Sequence, residues 1–576
     1  MLTRVGRTSS ELSLDKTVSS FSTYALAIER MSLVYFFLLG DKIMFAIKTL
    51  NDKGGIGYES TGSNLLDLFT DIGNSRDHLI PRVITNIDNI CNSAEDNDHL
   101  YAMVAVLMAY MRDRINGCGH RVSFYQAFIY FLTKLAENKG FYYANGLITQ
   151  LLKVMVDEYG RYDDLFELVE AANEIRKSST SMSASYKATL LTGIIYEYAY
   201  SVMNKDIESD KVSLLGKWLP SINTSSKRTR KMAQDFLKWI SAKHKKISPS
   251  AYRKICSKLR KKINIVEHDL MQRTYEDIDY SKVPSLALLK YKKAWIRNDE
   301  ERYRKYLEDV ASGKKTIHTD TVTVVNLIKA LETCKPYQRL DEDTSATVDL
   351  MWANLKKHPT KYLVCRDGSG SMYCKNEYSS VRPIDVADAL TLYCAENNSA
   401  YKDLFITFGD DVQVVRLRGE KFSDRVSELR QYDDCRTTNF AKVFAAILCY
   451  AEENHLTQDQ LPEGIIVISD MQFDSAFNNT NASVFQSIKR HFELSGYTMP
   501  KLIFWCVTGE KALPICNDDT GVTMLSGWNQ NLIQYLVYGE DITPAAIVKS
   551  VLNSKRYIPI LQVFEQARLA QNMLRS

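Results

Sequence analysis

The run Asp367-Gly368-Ser369-Gly370-Ser371 sets one carboxylate and two hydroxyls two residues apart, with glycines between them. It follows the short apolar run Tyr362–Cys365 and Arg366. On a loop leaving the carboxyl end of a strand, that spacing can turn three oxygens toward one point. Two more oxygen donors stand at later junctions. Thr438 lies just before a helical pattern, and Asp470 ends the apolar run of 464–469. An oxygen-only set suits a hard divalent cation such as Mg²⁺, which accepts few protein ligands and keeps several waters. Alone, the DGSGS run reads as a polar turn; the two later donors favour a cation site. Asp474 reads as a loop residue or helix cap, and His455 and His491 as surface or packing residues. No histidine lies near Ser369 or Ser371 in sequence, and no GxxxxGK[ST] loop is present, so triad and P-loop chemistry have no support.

Elements that can hold such a site follow residue 335. Tyr362–Cys365, Leu404–Phe408, Gly464–Ser469 and Leu502–Val507 read as strands. Asp385–Asn397, Phe440–Glu453 and Val484–Glu493 read as helices between them. This alternation predicts a doubly wound α/β domain with a mostly parallel sheet. Ligands of such sheets bind at the carboxyl ends of the strands, where these oxygen donors fall. The set Asp367, Ser369, Ser371, Thr438, Asp470 resembles the metal-ion-dependent adhesion site of von Willebrand factor A domains, with all five positions filled in order. The resemblance implies direct ligation by Ser369 and Ser371. Thr438, Asp367 and Asp470 would act directly or through water, and an acidic group of a partner would supply the last ligand.

The preceding part of the chain, 21–335, is helical in pattern. His99–Arg112, Val122–Lys139 and Ala144–Tyr159 each repeat apolar residues at three and four, with short polar connectors between such segments. Helix pairs stacked as an α-solenoid are expected, although no motif recurs at a fixed period. Lys335–Thr347 is polar without helical periodicity and reads as the start of a linker, 336–358. The α/β domain then covers 359–540 and C-terminal helices 541–576.

The whole chain has 576 residues, 45% hydrophobic, 25% charged and 11% aromatic, which excludes disorder, collagen and coiled coil as its general class. Eleven scattered cysteines without a CxxC pair indicate neither a zinc cluster nor a disulfide framework, and a reduced setting is expected. The apolar stretch Met31–Gly40 is shorter than the roughly 20 residues that span a bilayer, and no cleavable leader opens the chain. A soluble cytoplasmic protein without membrane contact is expected.

The formal charge of +4 hides a local excess: Lys211 to Leu270 holds sixteen Lys and Arg against three Asp and Glu. Thirteen of them are candidate contacts: Lys227, Arg228, Arg230 and Lys231, then Lys243, Lys245 and Lys246, then Arg253, Lys254, Lys258, Arg260, Lys261 and Lys262. Spacings of three and four put several on shared helix faces, where like charges repel unless an anion compensates. RNA phosphates are the expected compensation, since neutralising them releases counterions. The bland readings are a solvated surface or neutralisation by the acidic stretch Tyr275–Asp279. Trp218 and Trp239 lie in apolar contexts and read as core anchors rather than stacking platforms.

Several phrases carry a wider resemblance: Tyr58–Phe69, Met111–His120, Tyr159–Asp164, Lys217–Ser221, Ile278–Ser285 and Ser469–Asp474. From about residue 55 to 540 the chain resembles TROVE and DUF2828-type proteins, relatives of the Ro autoantigen, including Ro-like proteins of large bacteriophages. The resemblance implies a ring of HEAT-like helical repeats joined to a von Willebrand factor A domain. It also implies binding of noncoding or misfolded RNA without catalysis. One departure is Cys118 and His120, where relatives tend to carry Lys and Glu.

The expected function is therefore a non-enzymatic RNA-binding protein, part of a ribonucleoprotein, with Mg²⁺ or another divalent cation at its adhesion-type site. The alternative is a protein-interaction or structural component, for instance of a virus particle, that captures an acidic partner residue at the metal. A metal-dependent hydrolase ranks third, since neither a base nor a second metal is identified.

Overall fold

The computed structural model describes residues 48–50, 56–58, 60–73, 80–94, 97–178, 182–263, 265–332, 342–374, 381–408, 412–432, 441–471, 484–508, 521–536 and 542–575. A short antiparallel hairpin, Lys48–Leu50 with Ile56–Tyr58, precedes the helices. These begin with α1 (Asn64–Gly73), α2 (Ile80–Ser93), α3 (Asp98–Arg112), α4 (Val122–Lys139), α5 (Phe141–Val154), α6 (Asp163–Ser178) and α7 (Met182–Glu208). There follow α8 (Leu215–Trp218), α9 (Lys227–Lys243), α10 (Pro249–Ile263) and α11 (Val266–Gln272). The helical half ends with α12 (Ser285–Lys290), α13 (Lys292–Ala311), α14 (Val324–Glu332) and α15 (Glu342–Ala353).

Neighbours in sequence pack on one another, α1 on α2 and α6 on α7, and α4 bridges α2, α5 and α6. Helix α3 is apolar on every side, and Leu100 through Arg112 are all buried, as expected of a helix without a polar face. Its first turn is held by Asn97, whose side chain accepts from the His99 amide at 3.1 Å. Helix α5 starts before the expected Ala144 and gives way to a π-helical turn, Met155–Tyr159.

Helix α15 lies inside the stretch expected as linker. Its inner face is made of Thr344, Thr347, Val348, Met351 and Trp352, all buried. The threonines disguise the helical period because they are polar in sequence; Thr347 Oγ1 is paired with the Tyr303 hydroxyl at 2.9 Å.

The second half is a six-stranded sheet: β1 (Leu363–Asp367), β2 (Leu404–Phe408), β3 (Val412–Arg416), β4 (Gly464–Ser469), β5 (Lys501–Cys506) and β6 (Val522–Ser526). Its order is β3-β2-β1-β4-β5-β6, parallel except for the edge strand β3, which runs antiparallel to β2. Helices α16 (Pro383–Glu396), α17 (Phe422–Leu429), α18 (Ala441–Glu453) and α19 (Val484–Leu494) connect the strands. The pleat's period of two sorts the strand residues. Val364, Ile466 and Ile468 join the large core that includes α16, while Leu363, Cys365, Ile465 and Val467 join a smaller core with residues of α18 and α19. The expected architecture, helical half then doubly wound α/β domain, is the one observed.

Two C-terminal helices, α20 (Pro544–Leu552) and α21 (Ile558–Arg575), return to the first half. Helix α20 packs on β6, α1 and α3, and α21 on α3 and α5. Since α1 also packs on β6 and α14 on α16, both ends of the helical path meet the sheet domain and the path is closed through it. A close approach is at Gly73, where a Cβ would stand 2.2 Å from Ser526 Cβ. Among the described residues, no helix is long and apolar enough to cross a membrane.

Candidate metal centre and nucleic-acid interface

The sheet order reverses between β1 and β4, and the crevice at their carboxyl ends is where doubly wound folds bind ligands. Asp367 is the last residue of β1 and is fully buried. Its Oδ1 accepts from the Ser369 amide at 2.9 Å, and its Oδ2 accepts from the Ser469 hydroxyl at 2.5 Å. Ser369 opens a 3₁₀ turn, Gly370–Tyr373, that carries Ser371 back until the two hydroxyls stand 3.1 Å apart. Asp470 follows β4 and is buried. The next residue, Met471, has φ 64°, a left-handed conformation that costs a non-glycine residue energy. Its amide donates to Ser469 Oγ at 3.0 Å.

Burial and the nearby Asp470 carboxylate hold the Asp367 carboxyl well above the ordinary carboxylate range. Arg366 does not relieve this, because Arg366 Nε donates to Asp388 Oδ1 of α16 at 2.7 Å. The partners of Asp367 among the described residues are thus hydroxyl and amide groups of Ser469 and Ser369. Two buried carboxylates beside two adjoining hydroxyls form a donor set that fits a hard cation. Asp367, Ser369, Ser371 and Asp470 are brought together as the sequence predicts; Thr438 and Asp474 lie outside the described residues. Ser469 was not anticipated. Its signal is register: Arg366 pairs with Ile468 in the parallel ladder, so the residue after each lies at the same edge. His455 and His491 are exposed.

The basic segment folds into α9 and α10. Helix α9 buries Met232, Ala233, Phe236, Leu237 and Ile240, and α10 buries Tyr252, Cys256 and Leu259. The opposite faces carry the cations. Three of the thirteen candidates are engaged within the chain. Arg228 forms a two-pronged ion pair with Glu167. Arg260 donates to the carbonyls of Gly216 and Leu219 and to Ser221 Oγ, between 2.9 and 3.2 Å. Lys262 donates to the carbonyls of Asp206, Ile207 and Ser209 at the end of α7. The other ten, Lys227, Arg230, Lys231, Lys243, Lys245, Lys246, Arg253, Lys254, Lys258 and Lys261, are exposed and make no ion pair among the described residues. The acidic stretch Tyr275–Asp279 does not neutralise them: Asp279 pairs with Lys282 at 3.1 Å. Trp218 and Trp239 are half-buried, with Trp239 packed against the main core, whereas Tyr252 is fully buried and donates to the Pro220 carbonyl at 3.0 Å.

The phrase Met111–His120 proves to be a joint. Asp113 accepts from Arg556 at 2.9 and 3.2 Å, and the carbonyls of Ile115 and Gly117 accept from Asn529 Nδ2 at 2.9 Å. His120 Nε2 is 3.3 Å from the Gly73 carbonyl, and the Cys118 sulfur approaches Gly527. Cys118 and His120 therefore face the junction of helices and sheet.

Two family models match the chain, each a domain of unknown function: DUF2828 over residues 197–358 and DUF7788 over residues 362–556. The DUF2828-type resemblance read from the sequence thus holds over residues 197–358, which include the basic helices α9 and α10. The chain is 25% identical over 531 residues to uncharacterized protein L728 of Acanthamoeba polyphaga mimivirus, covering 88% of this chain and 87% of that one. Among solved structures it is similar to the Ro (RSR) protein of Deinococcus radiodurans. The match has 12% identity, covers 85% of this chain and 99% of that one, and has a TM-score of 0.34, a superposition too loose to argue from.

Proposed function

We propose that this chain, whose helical half carries a DUF2828 segment and whose sheet carries a DUF7788 segment, is a non-enzymatic RNA-binding protein. The observation that carries the reading is the open cationic surface of α9 and α10. Eight exposed ammonium and guanidinium groups on two successive helices, with Lys245 and Lys246 in the connector between them, repel one another. A phosphate backbone removes that repulsion and gains free energy from released counterions. The sequence resemblance to Ro relatives supports RNA as the polyanion.

The edge of the sheet adds a second element to the reading. Asp367, Ser369, Ser371 and Asp470, with Thr438, are the residues that would hold Mg²⁺. The ion supplies a fixed positive charge able to accept an acidic ligand from a protein partner. The chain's own contribution is to keep Asp367 oriented by Ser469 and Ser369. This gives the protein-capture reading its place as an activity of the same molecule.

The test is ultraviolet crosslinking of the full chain in cells, with sequencing of the attached nucleic acid. The expected result is enrichment of particular RNAs over background, with crosslinks within 227–262. No enrichment would overturn the RNA reading.

A further inference from the structure

Val443, Phe444, Leu448 and Ala451 anchor α18 in the smaller core. The face opposite such an anchor normally carries charged and polar residues. On α18 it carries Ala445, Ala446, Cys449 and Tyr450, all exposed, with exposed Lys442 just before them and exposed Glu453 just after. Tyr450 is 62% exposed. Edge strand β3 packs beside α18 and adds Val414, 69% exposed although Ile406, its partner in the ladder, is buried in the same core. The outer side of β3 pairs with no strand among the described residues. Apolar side chains thus continue from the rim of the core onto the surface, bracketed by one cation and one anion.

We propose that this face binds the same face of a second copy of the chain, with the two α18 helices antiparallel across a two-fold axis level with residues 447 and 448. In such an isologous contact residue i meets residue j and j meets i. Ala445 then stands opposite the partner's Tyr450, Ala446 opposite the partner's Cys449, and Lys442 opposite the partner's Glu453. A small side chain faces a large one, two small ones let the axes approach, and the charges attract. One axis satisfies all three pairs. A parallel pairing sets Lys442 against Lys442 and Glu453 against Glu453, and an unrelated partner calls for no such self-match. Residues 442–453 span about 18 Å of helix. The contact is small, and its dimer should dissociate on dilution. Because α18 belongs to the sheet half and the cations of α9 and α10 to the helical half, pairing of copies does not depend on the RNA reading.

Sedimentation velocity of the full chain over a range of concentrations tests this. The wild type should pass from monomer to dimer as concentration rises. Lys442→Glu should weaken the dimer roughly tenfold, because attraction becomes repulsion at two symmetric places. Adding Glu453→Lys to it should restore wild-type association. Lys442 also interacts within its own chain, and the swap separates the two effects, since changing Glu453 does not mend a contact inside the protomer. Equal parts of wild type and an Ala446→Cys, Cys449→Ser variant, mildly oxidised, should form a disulfide-linked dimer more fully than either protein alone. A wild type that stays monomeric throughout overturns the proposal, as does a dimer indifferent to Lys442→Glu or one that the double variant fails to restore. A mixture that crosslinks no better than its components overturns the antiparallel register.

Discussion

Ser469 and Asp367 end neighbouring parallel strands, and the serine hydroxyl donates to Asp367 Oδ2 at 2.5 Å. This bond favours the ionised carboxyl against burial and the Asp470 charge, which push it up. A cation needs the carboxylate, so Mg²⁺ binding should release a proton and weaken as the pH falls through the raised value. Ser469→Ala removes one of the stabilising donors and should move that loss to higher pH. Moving the midpoint by about one pH unit changes the affinity on its acid side about tenfold. Calorimetric titration at pH 6.5 and pH 9 should find the variant weaker at the lower pH and close to wild type at the higher. Identical affinities at pH 6.5 would remove Ser469 from the site.

Asp71 should make stability depend on pH. Burial lifts its carboxyl from 3.8 to about 7, although Arg82 lies 3.2 Å away and Asn86 donates to it at 2.9 Å. Because the folded value lies above the unfolded one, its favourable contribution is complete below about pH 4 and disappears as the pH rises through 7. Stability from this group should therefore fall across that interval, by an amount on the order of a few kcal/mol. Asp71→Asn should flatten the profile in denaturant unfolding at pH 5 and pH 8. An unchanged difference between the two would contradict the assignment.

The joint between the halves depends on Asp113 and Arg556. Asp113 is buried, and Arg556 also lies over the Tyr159 ring at 4.8 Å. Removing one partner of a buried pair costs about 3–5 kcal/mol, reduced here because Arg556 is partly exposed. Arg556→Ala should lower stability by about 2–3 kcal/mol and loosen α21 from α3. A melting temperature equal to wild type would show that the pair does not hold the circuit closed.

The alternation of apolar strands with helices made the α/β half legible, and Leu404–Phe408 and Gly464–Ser469 have the boundaries their composition suggests. Edge strand β3 was missed because Gln413, exposed Val414 and Arg416 leave VQVVR without a buried run. Strand β6 was missed because Thr523 and Ser526 dilute an apolar segment that is entirely buried. At the metal centre, residue type and order exposed Asp367, Ser369, Ser371 and Asp470, whereas Ser469 depends on the pairing of strands a hundred residues apart. In the basic segment, charge alone could not separate Arg260 and Lys262, which cap backbone carbonyls, from cations facing solvent. That distinction is tertiary.

Arg260 and its neighbours should consequently respond differently to substitution. Arg260→Ala strips three hydrogen bonds from a half-buried guanidinium and should cost about 2 kcal/mol of stability. Arg253→Glu and Lys258→Glu should leave the melting temperature within a degree or two and act on RNA affinity instead. Thermal unfolding of the three variants checks this; a large loss of stability in Arg253→Glu would place that residue in the fold rather than on the binding surface.

The most direct measurement is the salt dependence of structured-RNA binding by the full chain and by a variant with Arg253, Lys254, Lys258 and Lys261 all changed to Glu. Each phosphate contact contributes roughly 0.7–0.9 to the slope of log affinity against log salt. The wild type should show a steep slope, and the variant a shallower one with markedly weaker binding. The same slope and affinity in both proteins would mean that RNA does not lie on α10.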